Sequence, residues 1–115
     1  MSHTPKKHDF FEEVYSIVKE IPSGRVTSYG AIAQALGSKK SSRMVGWAMN
    51  ACHNRPEIPA HRVVNRNGLL TGKMHFSSPT EMEERLVKEG IQVYKDQILE
   101  FQKFFWDPTI ELQVK

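Results

Sequence analysis

Apolar residues recur with a helical period near the amino terminus. Phe10, Phe11, Val14, Tyr15, Val18 and Ile21 fall on one face of a helix. Thr4-Pro5 supplies an N-cap and a proline at the first helical position, and Pro22-Ser23-Gly24 supplies the stop. Val26-Thr27 reads as a short strand. Thr27 or Ser28 then caps a second helix whose Tyr29, Ile32, Ala33 and Leu36 share a side, with Gly37 as its C-terminal stop. Ser41 or Ser42 caps a third helix that runs to about Cys52.

The third helix has two faces. Val45, Ala48, Met49 and Cys52 form an inward stripe, while Arg43, Gly46, Trp47 and Asn50 repeat the same spacing on the other side. That second face offers a cation, a bare backbone, an indole and an amide. Two helices joined by Gly37-Ser38-Lys39-Lys40 suggest a helix-turn-helix. Val63-Val64 and Leu69-Leu70 flank Asn65-Arg66-Asn67-Gly68 and predict a hairpin, hence a wing. Ser78-Pro79-Thr80-Glu81 predicts a capping box that opens a helix ending at Glu89-Gly90. Ile91–Tyr94 reads as an edge strand, and the Phe-rich tail Leu99–Trp106 is expected to pack back on the core. The predicted fold class is mainly α with small β, a winged helix-turn-helix in one domain over residues 1–115.

At 115 residues with 39% apolar and 25% charged positions, the chain is the size of one globular domain. No apolar run approaches the roughly 20 residues of a membrane span, and Met-Ser-His-Thr-Pro-Lys-Lys lacks the apolar stretch of a secretory signal. The single cysteine, Cys52, excludes an internal disulfide framework or a multi-cysteine metal site. His3, His8, His53 and His75 show no metal-ligand spacing, so neither metal nor cofactor is expected. The compartment expected is a reducing one, the bacterial cytoplasm and its nucleoid or a eukaryotic nucleus, and the chain is expected to be a monomer.

The net charge of +3 is unevenly spread. Residues 39–73 carry Lys39, Lys40, Arg43, Arg55, Arg62, Arg66 and Lys73 against Glu57 alone, between a neutral and an acidic flank. A central basic block of this kind points to phosphate backbone as partner.

Three strings, in order, resemble one family. Ile21-Pro22-Ser23-Gly24-Arg25-Val26-Thr27-Ser28-Tyr29-Gly30-Ala31-Ile32-Ala33 resembles the opening of the C-terminal domain of O6-alkylguanine-DNA alkyltransferases. Arg43-Met44-Val45-Gly46-Trp47-Ala48-Met49 resembles their recognition helix, and Ile58-Pro59-Ala60-His61-Arg62-Val63-Val64 resembles their active-site segment, Pro-Cys-His-Arg-Val. The likeness covers about residues 10–90. Ala60 stands where those enzymes have the alkyl-accepting cysteine, and a methyl side chain neither ionises nor accepts an alkyl group. The resemblance is therefore to the alkyltransferase-like subclass, many members of which carry Trp at that position. It implies no transferase activity and a protein that binds double-stranded DNA containing alkylated guanine, flips the base, and signals to nucleotide excision repair proteins.

The resemblance also implies roles. Arg43 fills the gap left by the extruded nucleotide, Tyr29 turns its phosphate, and Gly46 lets the helix approach the minor groove. Trp47, Asn50, Arg62 and Arg66 complete the expected DNA face, with Arg62 either meeting phosphate or anchoring the segment beneath the helix. The expected lesion pocket comprises Tyr29, Ala60, His61, Val63, Lys73, Met74 and His75. His61 and Glu89 match the enzymes' acid-base pair and, without a thiol, are expected to be structural. Met74 and His75 replace hydroxyl-bearing residues, and Cys52 replaces an Asn that Asn54 lies close to. A sequence-specific winged-helix regulator that flips no base, and an enzyme using His61 and Glu89 for other chemistry, stay open at this point.

Overall fold

The structure is a computed structural model that describes residues 7–37 and 41–113. It is built from α1 (Lys7–Val18), β1 (Thr27–Ser28), α2 (Tyr29–Leu36), α3 (Ser42–Asn50), β2 (Val63–Val64), α4 (Glu81–Lys88), β3 (Val93–Tyr94), β4 (Gln97–Ile98), α5 (Phe101–Phe104) and α6 (Pro108–Glu111). Single 3-10 turns cover Ala60–Arg62 and Lys73–His75. No helix among the described residues is long and apolar enough to cross a membrane.

The helical periodicity of the first third sets the first half of the core. Phe10, Val14, Ile17 and Val18 of α1 pack with Ile32 and Ala33 of α2 and Val45, Ala48 and Met49 of α3. The helix α1 stops at Val18, three residues before Ile21, because its last turn tightens and Pro22 has no N–H to continue the ladder. Tyr15 donates its hydroxyl to the Ala48 carbonyl at 2.7 Å, which pins α1 to α3. Ser28 caps α2 by accepting from the Ala31 N–H at 3.1 Å, and Ser41 caps α3 by accepting from the Met44 N–H at 3.2 Å. The expected Thr4-Pro5 cap and the turn at residues 38–40 lie outside the described residues.

A second half of the core, Val26, Val64, Leu70, Met82, Leu86, Ile91 and Ile98, sits under α4. Between the halves run β1 and β2, paired in parallel with Thr27 opposite Val63 and Ser28 opposite Val64. The tail adds a further line to this pair. Phe104 accepts from the Val26 N–H at 3.0 Å, and the Trp106 N–H donates to the Val26 carbonyl at 2.7 Å. Arg25 holds the same segment through the carbonyls of Phe104 and Phe105, at 3.1 and 2.6 Å. Trp106 is buried against the α1–α3 cluster.

Three local expectations are corrected. The Asn65–Gly68 turn forms, with the Asn65 N–H donating to Leu69 and the Gly68 N–H to Asn65, at 3.1 and 2.9 Å. Its arms then diverge instead of pairing as a hairpin. The first arm is β2, already committed to β1, and the second pairs antiparallel with β4 through Leu69 and Gln97. Gly68, at φ +79°, supplies the left-handed residue that turns the arms apart. The capping box is also displaced. Thr80 precedes α4 without capping it, and Glu81 reaches back to the Ser77 N–H at 3.0 Å rather than to Ser78. The edge strand shortens to Val93–Tyr94 and forms a true hairpin with β4, turned by Lys95 and Asp96 at φ +50° and +64°.

Candidate nucleic-acid interface

The outward face of α3 is built as its spacing predicts. Arg43 and Asn50 are exposed, and Trp47 is 46% exposed. A Cβ on Gly46 would meet nothing within 4 Å. Glycine in mid-helix costs roughly 0.5–1 kcal/mol relative to alanine, and nothing among the described residues requires it here. The backbone at Gly46 is therefore open to close approach from outside.

Behind α3 the Ala60–Arg62 turn is held by a knot of charge. His61 Nε2 lies 2.7 Å from Glu89 Oε2. Arg62 donates Nη2 to the same oxygen at 2.8 Å, spreads Nε across both carboxylate oxygens, and donates Nη1 to the Ile21 carbonyl at 2.8 Å. The Gly24 N–H donates to Glu89 Oε1 at 2.9 Å. Burial by itself would raise the Glu89 pKa, but Arg62, the Gly24 N–H and His61 together outweigh it and hold the carboxyl down at about 2. Burial lowers the His61 pKa against the pull of Glu89, so the ring is neutral near pH 7 and donates Nε2–H to the carboxylate. Arg62 therefore anchors three segments inside the molecule, the anchoring role of the two expected for it, and not the DNA face. Arg66, by contrast, is exposed at the tip of its loop.

Ala60 lies where two hollows meet. The smaller is lined by Tyr29, Met49, Asn50, Ala60, Val63 and Phe76 among others, and its free space is about 10 Å3. That is roughly the room of one water molecule, so a purine enters only if the wall moves. The larger, about 140 Å3, is lined by Cys52, His53, Ala60, His75, Phe76 and Arg85 among others. Phe76 and His53 border both. Their rings meet edge to face at 4.7 Å, and His53 stacks on His75 at 6.0 Å. Burial and the neighbouring His75 lower the His53 pKa.

Of the expected pocket residues, Tyr29, Ala60, Val63 and His75 line these hollows. His61 is buried and bonded into the knot. Met74 is 69% exposed and lines neither hollow. Lys73 turns to Asp96, with Nζ 2.6 Å from Oδ2. Burial raises the Tyr29 pKa, and a hydrogen bond to the Thr71 side chain opposes the rise. Cys52 donates its thiol to the Met49 carbonyl at 3.2 Å, and burial pushes its pKa up to about 11, so it stays a thiol at neutral pH. No group of three or more metal-ligating side chains occurs among the described residues.

Comparison with known proteins decides which lineage built this site. The family described as 6-O-methylguanine DNA methyltransferase, DNA binding domain, matches residues 9–91. Alkyltransferase-like protein 1 of Schizosaccharomyces pombe is 33% identical over 104 residues, covering 87% of this chain and 96% of that protein. This chain belongs to the alkyltransferase-like family. The DNA base-flipping protein of Escherichia coli is also 33% identical over 104 residues, covering 89% of this chain and 78% of that protein. The crystal structure of S. pombe Atl1 in complex with damaged DNA containing O6-carboxymethylguanine superposes with a TM-score of 0.77 at 32% identity, covering 89% of this chain and 98% of that one. The reading of the fold as a mainly helical DNA-binding domain of the alkyltransferase type stands on that match, although its predicted wing is replaced by the diverging arms described above.

Family membership leaves four site residues that the sequence strings did not single out. His53 and Phe76 shape both hollows, Thr71 lies beside the Tyr29 hydroxyl, and Asp96 holds Lys73. Phe76 had one available signal, an aromatic closing a basic loop. Asp96, 23 residues from its partner, had none.

Proposed function

We propose that this chain recognises O6-alkylated guanine in duplex DNA from the minor groove, rotates the base out of the stack, and holds it without removing the alkyl group. The observation that carries the proposal is Ala60. It sits at the meeting point of the two hollows, on a turn braced by His61, Arg62 and Glu89, and by sequence resemblance it stands where the transferring enzymes have their cysteine. The brace remains while the nucleophile is gone, and the remaining cysteine is a buried thiol. The names of the relatives support the same reading: one is a base-flipping protein and another was crystallised on O6-carboxymethylguanine DNA.

In this reading Arg43 enters the stack from the first turn of α3, Trp47 and Asn50 lie along the groove, and the bare backbone at Gly46 permits close approach. Tyr29 turns the phosphate of the flipped nucleotide. Phe76 swings away to admit the base, because the hollow beside Tyr29 is too small as it stands. Lys73, released from Asp96, then reaches the base or its phosphate. The bound lesion serves as a signal for nucleotide excision repair, and the protein acts as a monomer in the compartment that holds the DNA.

The deciding experiment is a titration of matched duplexes carrying guanine or O6-methylguanine. Tighter binding of the lesion is expected, with no methyl group appearing on the protein. Arg43→Ala is expected to weaken lesion binding by about 1–3 kcal/mol, through loss of both a charge and the intercalated plug. Preference for one undamaged sequence over the lesion would point to a winged-helix regulator, and a methylated protein would overturn the reading outright.

A further inference from the structure

The match to the DNA-binding family ends at residue 91, yet the chain continues into the β3–β4 hairpin, which returns to the rim of the pocket. We propose that the tip of this hairpin and the Asn65–Gly68 loop beside it form a second phosphate-binding surface for duplex DNA, beyond the pocket loop from α3. The inference rests on the reading of the chain as a duplex binder.

The two loops are one unit. Gln97 Nε2 donates to the Asn67 carbonyl at 2.9 Å, the Ile98 N–H donates to Gly68 at 2.9 Å, and the Leu70 N–H donates to Asp96 at 2.9 Å. Gly68 packs so tightly on Phe101 that a Cβ there would lie 3.0 Å from the ring. Lys95 and Asp96 both hold left-handed backbone angles with no glycine between them. This backbone conformation is unfavourable for ordinary side chains and is kept where surrounding structure enforces it. The tip is therefore a rigid projection.

Its chemistry suits a polyanion. Arg66 stands exposed on one loop and Lys95 on the other. Lys95 lies over the ring of Tyr94, 5.4 Å from its centre, and Tyr94 is itself 63% exposed. An exposed phenol with two cations presents donors of the kind that contact phosphate and sugar oxygens. The acid of the turn, Asp96, is engaged by Lys73 at 2.6 Å and is thus partly neutralised. A row of contacts also joins the tip to the pocket. Asp96 holds Lys73, the neighbouring Gly72 lies against the Tyr29 hydroxyl, and Tyr29 shares the small hollow with Asn50 of α3. A duplex seated on α3 with a nucleotide at Tyr29 continues along that row toward Arg66 and Lys95.

The test compares Arg66→Gln/Lys95→Gln with Lys19→Gln/Lys88→Gln, which removes the same charge elsewhere. Affinity for an undamaged duplex is measured between about 50 and 200 mM salt, with circular dichroism as the folding check. Loss of two phosphate contacts should lower the steepness of the salt dependence by roughly two and weaken binding roughly tenfold at the low-salt end. The control pair should keep the wild-type slope. An unchanged slope in the hairpin variant, or an equal fall in the control, overturns the proposal. Because the readout uses undamaged DNA, a wild type that ignores the lesion overturns the functional reading while leaving this comparison interpretable.

Discussion

The knot around Glu89 and the loop from Thr71 to Ser77 lie on either side of Ala60, and they are held in opposite ways. In the knot a single buried carboxylate satisfies His61, Arg62 and the Gly24 N–H, while Arg62 reaches on to Ile21. In the loop Met74 and His75 are exposed, Lys73 has one half-exposed ion pair, and Phe76, half-buried, packs on the margin of the second core cluster and meets His53 edge to face. The difference teaches how one turn can be fixed firmly beside a loop that is not. The bonded charges of the knot fix the backbone, while the loop, with few side-chain bonds, has more freedom to change shape.

Breaking the knot should have the largest effect. Glu89→Gln leaves Arg62 partly buried without a counter-charge, which costs on the order of 3 kcal/mol of stability. A urea melt against wild type measures it, and a loss under about 1 kcal/mol would show that the knot is ornamental. Acid should act in the same direction. The folded-state pKa of Glu89, about 2, lies below its ordinary 4.5, so its contribution is complete above about pH 4.5 and is lost as pH falls through 2. That window corresponds to about 3 kcal/mol. His61 is also shifted down from 6.5, so it starts to subtract stability at a higher pH, once the unfolded chain protonates first. Thermal midpoints should fall in two stages on acidification, and Glu89→Gln should erase the lower stage.

Severing the loop from the tail comes next. Gly68→Ala places a Cβ at φ +79° and 3.0 Å from the Phe101 ring. The left-handed backbone and the clash together should cost about 2 kcal/mol. If the melt is unchanged, the Asn65–Gly68 loop is not fastened to the tail in solution.

How far the sequence could be read follows the same division. Helical spacing placed Arg43, Gly46, Trp47 and Asn50 on one exposed face, because the period of a helix and the burial of its other side settle orientation together. A charge run carries no such constraint. It grouped Arg62 with Arg66, although Glu89, 27 residues further on, draws Arg62 inward and leaves Arg66 outside. The Asn-Gly turn was legible, but the destination of its second arm was not, since that depends on a hairpin whose turn uses Lys-Asp in place of the usual glycine-bearing pair. Pocket closure by Phe76 was invisible for another reason: it arises from packing on the second core cluster and a ring contact with His53, not from any periodic pattern.

Returning a nucleophile sharpens the contrast at little structural cost. Ala60→Cys adds one heavy atom at a half-buried position and should change stability by less than about 1.5 kcal/mol. With His61 and Glu89 in place, slow transfer of one methyl group from O6-methylguanine DNA to the variant is expected, read by intact mass and absent in wild type. Cys52, raised to about 11, should stay unmodified. A variant that binds the lesion yet remains unmethylated would mean that the loop no longer presents the adduct to residue 60, and it would place the divergence in the loop and not in the knot.

The smallest effect on stability should come from Asp96→Asn, and it separates holding from binding. The Lys73–Asp96 pair is short, at 2.6 Å, but its side chains are 31% and 44% exposed. Ion pairs of that exposure contribute roughly 0–1 kcal/mol, so the melt should barely move. Binding should respond more. Asp96 competes with DNA for the Lys73 ammonium, and the substitution removes a negative charge from a surface proposed to face phosphate. Asp96→Asn should therefore tighten binding to damaged and undamaged duplex alike, by severalfold at low salt and less as salt screens it. Asp96→Glu, which keeps the charge, should remain near wild type. If Asp96→Asn instead weakens lesion binding and leaves undamaged duplex untouched, the carboxylate positions Lys73 for the flipped base rather than restraining it. In that case the pocket loop is prearranged like the knot, and the contrast between the two sides of Ala60 fails.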